Sequence, residues 1–434
     1  MTSNSLYYIW LCHAIGGSYK VYRELIESFG SVYDIYRADS EDFSRLSHRV
    51  RRRERQLSDK SLSYAIAIMD FCKNSSINLL TYEDDGYPSL LRDIEDPPLL
   101  LYVKGRMPDF EGRLHIAVVG TRKMTDYGKC MSYNMGYSLA RNGAIVVSGM
   151  ALGCDSVAMS GALDSGSCVI GVLGCGVDIA YPPQHARFMD EILRCGGTII
   201  SEYAPGTKPE PDYFVSRNRI ISGISRATLV IEADNISGAM HTARDAISQG
   251  RALFAIPGKV GESSSEGTLS LISDGAKIAL DPKDILREYS FLYRGTLDLM
   301  TYKSLESQEI DVRLSARSVK SKKLKSEAEV VDNTDLTRAK KTDKSTRIGI
   351  RDVISDIVKK NTDTINKNNE IPKKLELLPK QARAVYEKIP KNEIFFADDV
   401  EKYGISVSEF LSAVTILEIH GLARSYPGSR YTVE

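Results

Sequence analysis

The chain lacks the paired cysteines that mark a disulfide framework or a zinc site. Its seven cysteines are scattered singly, with no Cys-x-x-Cys pair and no histidine at ligand spacing. We therefore expect free thiols in a reducing cytosol, and neither a metal nor another cofactor. Long apolar runs are also missing, and the N-terminal apolar stretch is short and has no basic leader. These absences predict a soluble, cytoplasmic protein without a membrane partner.

An excess of charge of one sign is missing as well. The 57 Lys and Arg residues balance the 57 Asp and Glu residues, so no global field draws the chain onto a nucleic acid or a membrane. Charge is nevertheless uneven, because Lys and Arg outnumber Asp and Glu by seventeen to ten between residues 311 and 374. The remainder is slightly acidic, and an anion site on it must be a compact pocket rather than a broad basic face.

The usual nucleotide-binding motifs are absent too. There is no Gly-x-x-x-x-Gly-Lys-Ser/Thr segment, and Gly171, Gly174 and Gly176 do not have the dinucleotide spacing. Apolar runs of strand length nevertheless alternate with segments of helix length from His115 onwards. This alternation predicts an α/β fold with a Rossmann-like, doubly wound, mostly parallel sheet. After the unit that begins at His115, the predicted strands are 168–173, 198–201, 228–231 and 252–256, and the predicted helices include 127–142, 184–194 and 238–249.

Composition divides the chain into four regions. Residues 1–80 read as helices, and the glycine turn at Gly16-Gly17 fits either a helix-hairpin-helix (SAM-like) unit that binds phosphate or ordinary helical packing. Residues 81–300 hold the Rossmann-like domain. Its first part, rich in proline, is a connector that ends in one strand at the sheet edge.

The last two predicted regions are a basic linker and a small domain. Residues 301–374 are rich in charged and small polar residues and have too little apolar surface to offset chain entropy, so a disordered tether is expected. Loose phosphate contacts by this linker stay an alternative. Residues 375–434 show three helices, the second at 396–403 and the third opened by Ser406, followed by a hairpin. This is the pattern of a winged helix, whose weakly cationic third helix leaves both DNA binding and protein docking open.

Three polar clusters should meet at one edge of the predicted sheet, where strands end and helices begin. The first combines the turn after the strand at His115 with the end of the next strand. The second opens the helix after Ser201-Glu202-Tyr203, and the third opens a helix after the strand at 228–231. Their candidate residues are Gly120, Thr121, Arg122, Ser148 and Gly149 in the first, Phe214, Arg217, Asn218 and Arg219 in the second, and Ser237, Gly238 and Thr242 in the third.

The second cluster carries the chemistry of a nucleic-acid site. Arg217 and Arg219 cannot share one helix face, so one is expected to grip phosphate while the other packs against Glu202 or Glu232. For either arginine alone, a structural salt bridge and ligand binding both stay open. An aromatic ring beside arginines and free helix-start amides is the set of groups that binds single-stranded nucleic acid. No nucleophile with a partner base stands out.

At these residues the chain resembles the DNA-processing protein A (DprA/Smf) family, from about residue 82 to residue 280. Seven of the family's motifs occur here in the same order, and a match of this extent does not arise by chance. They are Gly120-Thr121-Arg122, Ser148-Gly149-Met150-Ala151, Tyr181-Pro182-Pro183, Ser201-Glu202-Tyr203, Phe214 with Arg217-Asn218-Arg219, Ser237-Gly238 with Thr242-Ala243, and Gly250-Arg251 with Pro257-Gly258.

The resemblance implies a cytoplasmic homodimer that binds single-stranded DNA, protects incoming DNA and loads RecA recombinase in natural transformation, without turnover as an enzyme. Carried over by motif, Arg122, Phe214, Arg217 and Arg219 would contact the strand, and Lys259 is a weaker candidate. Two positions depart from the family pattern. Leu152 stands where the family has arginine, and Leu269 replaces the family's asparagine near the stretch where we expect a dimer contact.

Two other functions remain open. The same topology resembles the lysine-decarboxylase-like nucleoside monophosphate phosphoribohydrolases, in which a catalytic carboxylate follows a glycine-rich loop. Asp245, three residues after Thr242, would take that place. In the other alternative the sheet is inert and the winged helix recruits partners, so that deletion of residues 300–434 would abolish function.

Overall fold

The computed structural model describes residues 3–299, then 309–310 and 313–314, and parts of the segment 380–433. Most of the predicted linker therefore lies outside the described residues. The chain forms two compact units, Met1–Arg347 and Ile348–Glu434. Among the described helices, none combines the length and the apolar character that a membrane crossing requires.

Residues 3–74 form seven helices around a shared apolar core. Gly30, at φ 89°, ends α2, as its position predicts, and Asp39 forms a capping box with Asp42 at the start of α4. The assignment of this region to the helix-hairpin-helix type stays a prediction. The helices are α1 (Ser3–Ile15), α2 (Tyr19–Phe29), α3 (Val32–Arg37), α4 (Ser40–Ser44), α5 (His48–Arg51), α6 (Glu54–Ser58) and α7 (Ser63–Asn74).

Nine strands between residues 77 and 278 form one large, mostly parallel sheet. Its order is β1-β2-β6-β5-β4-β3-β7-β8-β9, in which only β1 with β2 and β2 with β6 pair antiparallel. The strands are β1 (Ile77–Thr81), β2 (Leu100–Gly105), β3 (His115–Val119), β4 (Ile145–Ser148), β5 (Val169–Val172), β6 (Thr198–Ser201), β7 (Ala227–Val230), β8 (Ala252–Ala255) and β9 (Lys277–Ile278). The doubly wound α/β sheet is thereby confirmed.

One prediction about this sheet is wrong. The strand after the proline-rich connector, β2, lies between β1 and β6 and not at the edge. The edge on this side is β1, whose five residues pair with β2 from Ile77 opposite Lys104 to Thr81 opposite Leu100. The prolines Pro97 and Pro98 precede β2, so they remove no hydrogen bond from its ladder and leave both of its sides free to pair.

The order of the sheet reverses between β3 and β7. From β3 the chain winds through β4 and β5 to β6, whereas from β7 it winds the other way through β8 to β9. At such a switch point the loops that leave the two central strands turn in opposite directions and open a crevice at the carboxyl ends. The loops after Val119 and Val230 line this crevice.

Helices cover both faces of the sheet. The glycines of α9 and α10 let these two helices approach closely, because a Cβ at Gly136 would lie 1.9 Å from the carbonyl oxygen of Ala158. The helices are α8 (Ser89–Arg92), α9 (Asp126–Arg141), α10 (Cys154–Asp164), α11 (Ala186–Arg194), α12 (Pro211–Gly223), α13 (Gly238–Ser248), α14 (Ser263–Ser273) and α15 (Pro282–Tyr289), with a 3-10 turn at Pro183–His185. Within the predicted linker, Ile310 is buried against Tyr133 and Tyr137 of α9.

The second unit contains a helix and a three-stranded antiparallel sheet in its described part. These are α16 (Lys380–Lys388), β10 (Ile394–Phe396), β11 (Ala423–Tyr426) and β12 (Arg430–Val433), in the order β10-β12-β11. The predicted helical start at Phe396 is wrong, since this residue pairs with Arg430 in the sheet. The predicted start at Ser406 is supported by mutual hydrogen bonds between Ser406 and Glu409. The winged helix as a whole stays a prediction.

Candidate functional site

A groove of about 760 Å³ opens at the switch point of the large sheet. The loop after β3, the start of α12 and the start of α13 all contribute to its lining. Nine of the thirteen candidate residues meet there: Gly120, Thr121, Arg122, Phe214, Arg217, Asn218, Ser237, Gly238 and Thr242. Ser148, Gly149, Arg219 and Lys259 are not in its lining.

The loop after β3 is held by close backbone contacts. A Cβ at Gly120 would lie 2.6 Å from the Cβ of Cys154, and one at Gly153 would lie 2.3 Å from the carbonyl oxygen of Thr121. The amide of Cys154 donates to that same carbonyl at 3.2 Å. These contacts fix the backbone from which Arg122 and Lys123 project.

Both of those side chains are exposed cations at the groove. Among residues 3–299, neither Arg122 nor Lys123 takes part in an ion pair. A guanidinium offers five N–H donors in a planar fork that suits a phosphate group. Arg122 and Lys123 are therefore available to an anionic ligand.

Two aromatic rings stand at the groove. The ring of Phe214, near the start of α12, packs against that of Tyr181 with centroids 4.8 Å apart and planes 31° apart. Both are half-buried and both line the groove. Tyr181 was not among the candidate residues, although its turn is one of the seven motifs. A second aromatic residue next to a Pro-Pro turn was the signal that could have indicated it.

Arg217 lies beneath the groove rather than at its rim. It is 4% exposed, and its Nη1 donates to the carbonyl oxygens of Gly149, at 2.8 Å, and of Val172. Its Cζ is 5.9 Å from the centroid of the Phe214 ring. Burial lowers the pKa of Arg217 to about 10, an effect opposed by the Asp155 carboxylate, so the side chain stays cationic at neutral pH. Arg217 therefore builds the floor and gives it positive charge.

Ser148 and Gly149 lie behind this floor and support Arg217, outside the lining of the groove. The Ser148 hydroxyl donates to the carbonyl oxygen of Val118 at 2.6 Å, and the Gly149 amide donates to Asp155 at 3.1 Å. Burial raises the pKa of Asp155, and the charge of Arg217 opposes this rise. A Cβ at Gly149 would lie 2.6 Å from Nη2 of Arg217, so the glycine is what lets the guanidinium approach the sheet.

Arg219 faces away from the groove, on the other side of α12. Its Nη2 lies 2.6 Å from Oε2 of Glu202, and its Nε lies 3.6 Å from Oδ2 of Asp96. The prediction that one of the two arginines packs against Glu202 is confirmed. Glu232, the other predicted acid, instead accepts from the amide and hydroxyl of Thr125 at 2.9 and 2.8 Å.

The third cluster opens α13. The hydroxyl of Ser237 accepts from the amide of Ala239 at 3.4 Å, and a Cβ added at Gly238 would meet nothing within 4 Å. The start of α13 is therefore open to the groove, whereas Thr242 is buried at its wall. Asp245, the carboxylate that the hydrolase hypothesis requires, does not line the groove. Burial raises the pKa of Asp245, and the neighbouring His241 and Arg219 oppose this rise.

Two further predicted positions lie on exposed surface. Lys259 is 80% exposed and pairs with Glu262 at 3.1 Å, outside the groove. Leu152, where the family has arginine, is 45% exposed. Among the described residues, no group of three or more His, Cys, Asp or Glu side chains could hold a metal ion.

Comparison with known proteins identifies the family. The family model described as DNA recombination-mediator protein A matches residues 78–290. Protein Smf of Synechocystis is 40% identical over 210 residues, which are 48% of this chain and about half (52%) of that protein. DNA processing protein DprA of Streptococcus pneumoniae is 37% identical over 236 residues, which are 54% of this chain and 80% of that protein.

Solved structures give a similar result. The X-ray structure of DprA from Streptococcus pneumoniae matches with a TM-score of 0.55 and 32% identity, over 65% of this chain and 97% of that one. A structure of DNA processing protein A from Helicobacter pylori, described for its single-stranded DNA binding mode, matches with a TM-score of 0.45 and 31% identity, over 50% and 99% of the two chains. The chain belongs to the DNA recombination-mediator protein A family, also called DprA or Smf.

Proposed function

We propose that this protein binds single-stranded DNA in the groove at the switch point of its sheet. The observation that carries the proposal is the convergence of two exposed cations that pair with no described acid, two packed rings and an open helix start in one groove. Phosphates would lie against Arg122, Lys123 and the amides that begin α13. A base would stack on Phe214 and Tyr181.

The same features favour a single strand over a duplex. A base can reach a ring in a groove only if it is unpaired and free to leave its stack. A duplex would instead need a broad basic face, and this groove also contains the acidic side chains of Asp155 and Asp234. With about three phosphate contacts, the logarithm of the binding constant should fall with the logarithm of salt concentration with a slope of about −2.

Family membership supports the finer role. We propose that the protein protects incoming DNA and loads RecA recombinase onto it during natural transformation, as a homodimer and without turnover. In a RecA assembly assay the wild type should shorten the delay before RecA coats the strand. A variant that no longer binds the strand should lose this effect.

The direct test is a binding titration with the double variant Arg122→Ala/Phe214→Ala. Loss of one exposed cation and one stacking ring should weaken binding of a short oligothymidylate about thirtyfold or more. Lys259→Ala is the matched control, since it removes an exposed cation that lies outside the groove and should change little. Binding by the double variant that equals that of the wild type would exclude this groove as the DNA site.

A further inference from the structure

A second basic feature lies on the N-terminal helices, away from the groove. Residues 48–55, in α5 and the beginning of α6, contain five arginines and a single glutamate. All five arginines are exposed, and across residues 3–299 none of them is in an ion pair. We call this set the arginine cluster, and its members are Arg49, Arg51, Arg52, Arg53 and Arg55.

Among the described residues, no neighbouring acid forms an ion pair with the arginine cluster. Glu54, the acid within the segment, accepts a hydrogen bond from the hydroxyl of Ser40 at 2.5 Å. Nearby Glu41 pairs at 2.6 Å with Arg45, which precedes the cluster. Five like charges that repel one another within eight residues destabilise the free protein slightly, so an external anion is the group that would offset them.

The arginine cluster is presented by a fixed surface. Val50 in α5 and Leu57 in α6 are completely buried, and they hold the two short helices so that the arginines face outwards. Arg51, Arg52 and Arg55 line one concavity of about 540 Å³, and Glu54 and Asp59 also line it, so the cations outnumber the carboxylates there by three to two. Guanidinium groups arranged around a concavity suit the phosphates of a chain that follows it.

Helix α12 and the turn at Gly16-Gly17 link this surface to the groove through a second cavity. Helix α12 lines the groove through Phe214 and Asn218, and through Tyr213 and Ser216 it lines the second cavity, of about 720 Å³. The turn at Gly16-Gly17 forms another wall of that cavity. A Cβ at Gly16 would lie 3.5 Å from Nη2 of Arg53, so the arginine cluster begins where the cavity ends.

The second cavity contains aromatic rings on which bases could stack. Within the second cavity the rings of Tyr203 and Tyr213 are stacked, with centroids 4.2 Å apart and planes 22° apart. A strand that leaves the groove over α12 would meet these rings before it reaches the arginines. Aromatic surface followed by unpaired cations is the arrangement that tracks a single strand irrespective of its sequence.

We propose that the arginine cluster is a second phosphate-binding site, which holds the continuation of a DNA strand whose first part lies in the groove. This inference rests on the proposed function of the groove. It assigns to the N-terminal helices a role in binding long strands, whereas short strands occupy the groove alone. An acidic protein is the competing partner, and the experiment below distinguishes the two.

The test compares a short oligothymidylate of about six nucleotides with a long one of about thirty. In the full chain, the triple variant Arg51→Ala/Arg52→Ala/Arg55→Ala should bind the short strand as the wild type does. It should bind the long strand about tenfold more weakly. Its salt slope for the long strand should be smaller by about 2, because three phosphate contacts are lost.

A charge-matched control distinguishes a specific phosphate site from a general loss of positive charge. The variant Arg23→Ala/Arg37→Ala/Lys73→Ala removes three exposed cations from other N-terminal helices (α2, α3 and α7) and leaves the arginine cluster intact. It should bind both strands as the wild type does, and thermal unfolding should show that both triple variants stay folded. Equal weakening of long-strand binding by the two variants would refute a specific site.

The outcomes also separate the two proposals. A wild type that fails to bind the short strand refutes the groove function itself. If the wild type binds both strands and the Arg51/Arg52/Arg55 variant binds the long one equally well, only the second site is refuted. The second site is likewise refuted if that variant keeps DNA binding but loses binding of a polyglutamate peptide, since the surface would then serve an acidic protein.

Discussion

The two sides of helix α12 use arginine in opposite ways. On the groove side Arg217 donates to two backbone carbonyl oxygens and lies under a ring, with its charge directed to the floor of an open site. On the other side Arg219 is neutralised by Glu202 and Asp96. Residues two apart on one helix thus serve a binding site and a structural ion pair. The partner groups, rather than the residue type, decide which role an arginine has.

The largest effect should come from removing Arg217. In Arg217→Ala the buried carboxylate of Asp155 loses the charge that opposes its desolvation, and two carbonyl oxygens lose a donor. We expect the free energy of unfolding to fall by about 3 to 5 kcal/mol, as measured by urea denaturation. The double variant Arg217→Ala/Asp155→Asn should recover part of this loss. If the single variant is as stable as the wild type, the floor does not depend on this arginine.

Removal of Arg219 should be less costly and should leave the groove intact. Arg219→Ala deprives Glu202 of its cation, so we expect a loss of about 2 kcal/mol in unfolding free energy and unchanged binding of a short strand. Adding Glu202→Gln should restore part of the stability. Impaired short-strand binding by a folded Arg219→Ala protein would contradict the division of α12 into two functional sides.

The pH dependence of the Arg219→Ala variant gives a further test of the role of Arg219 as the partner of Glu202. Burial raises the pKa of Glu202 above its usual 4.5, and Arg219 opposes that rise. Without Arg219 the pKa of Glu202 in the folded state should rise further. At a pH between the two pKa values, Glu202 is then protonated in the folded state and ionised in the unfolded state. Stability then falls as pH increases from about 4.5 through the raised pKa. Unfolding of Arg219→Ala between pH 4.5 and 8 should therefore show a steeper fall than that of the wild type.

The sequence predicted the scaffold better than the site. Alternating apolar runs located the strands from β3 to β8 to within a residue or two, because buried parallel strands are short and uniformly apolar. The predicted edge position of β2 was wrong, because prolines that precede a strand do not show whether another strand pairs with its outer side. Helical periodicity could place Arg217 and Arg219, two residues apart, on different faces of α12. Which of them faced the groove could not be known before their partners, Gly149 and Glu202, were placed in space.

Tyr181 tests the part of the site that sequence reasoning missed. Its ring packs on Phe214, so Tyr181→Ala should weaken binding of a short strand by about 1 to 2 kcal/mol, as one base loses its stacking surface. Tyr213→Ala, on the far side of α12, is the matched control and should change short-strand binding little. Fluorescence anisotropy at constant salt measures both. Equal losses from the two variants would mean that the groove is not the stacking surface.

The smallest effect should come from restoring a cation at the family's arginine position. Leu152 is exposed and lies in the loop before α10, so Leu152→Arg should be accommodated without repacking. One additional contact with phosphate should strengthen single-strand binding by about 0.2 to 1 kcal/mol and make the salt slope more negative by about 0.7. Leu152→Gln, of similar length but uncharged, serves as the control. A gain in affinity with no change in the salt slope would show that the added side chain acts by packing, and that this loop does not meet the DNA backbone.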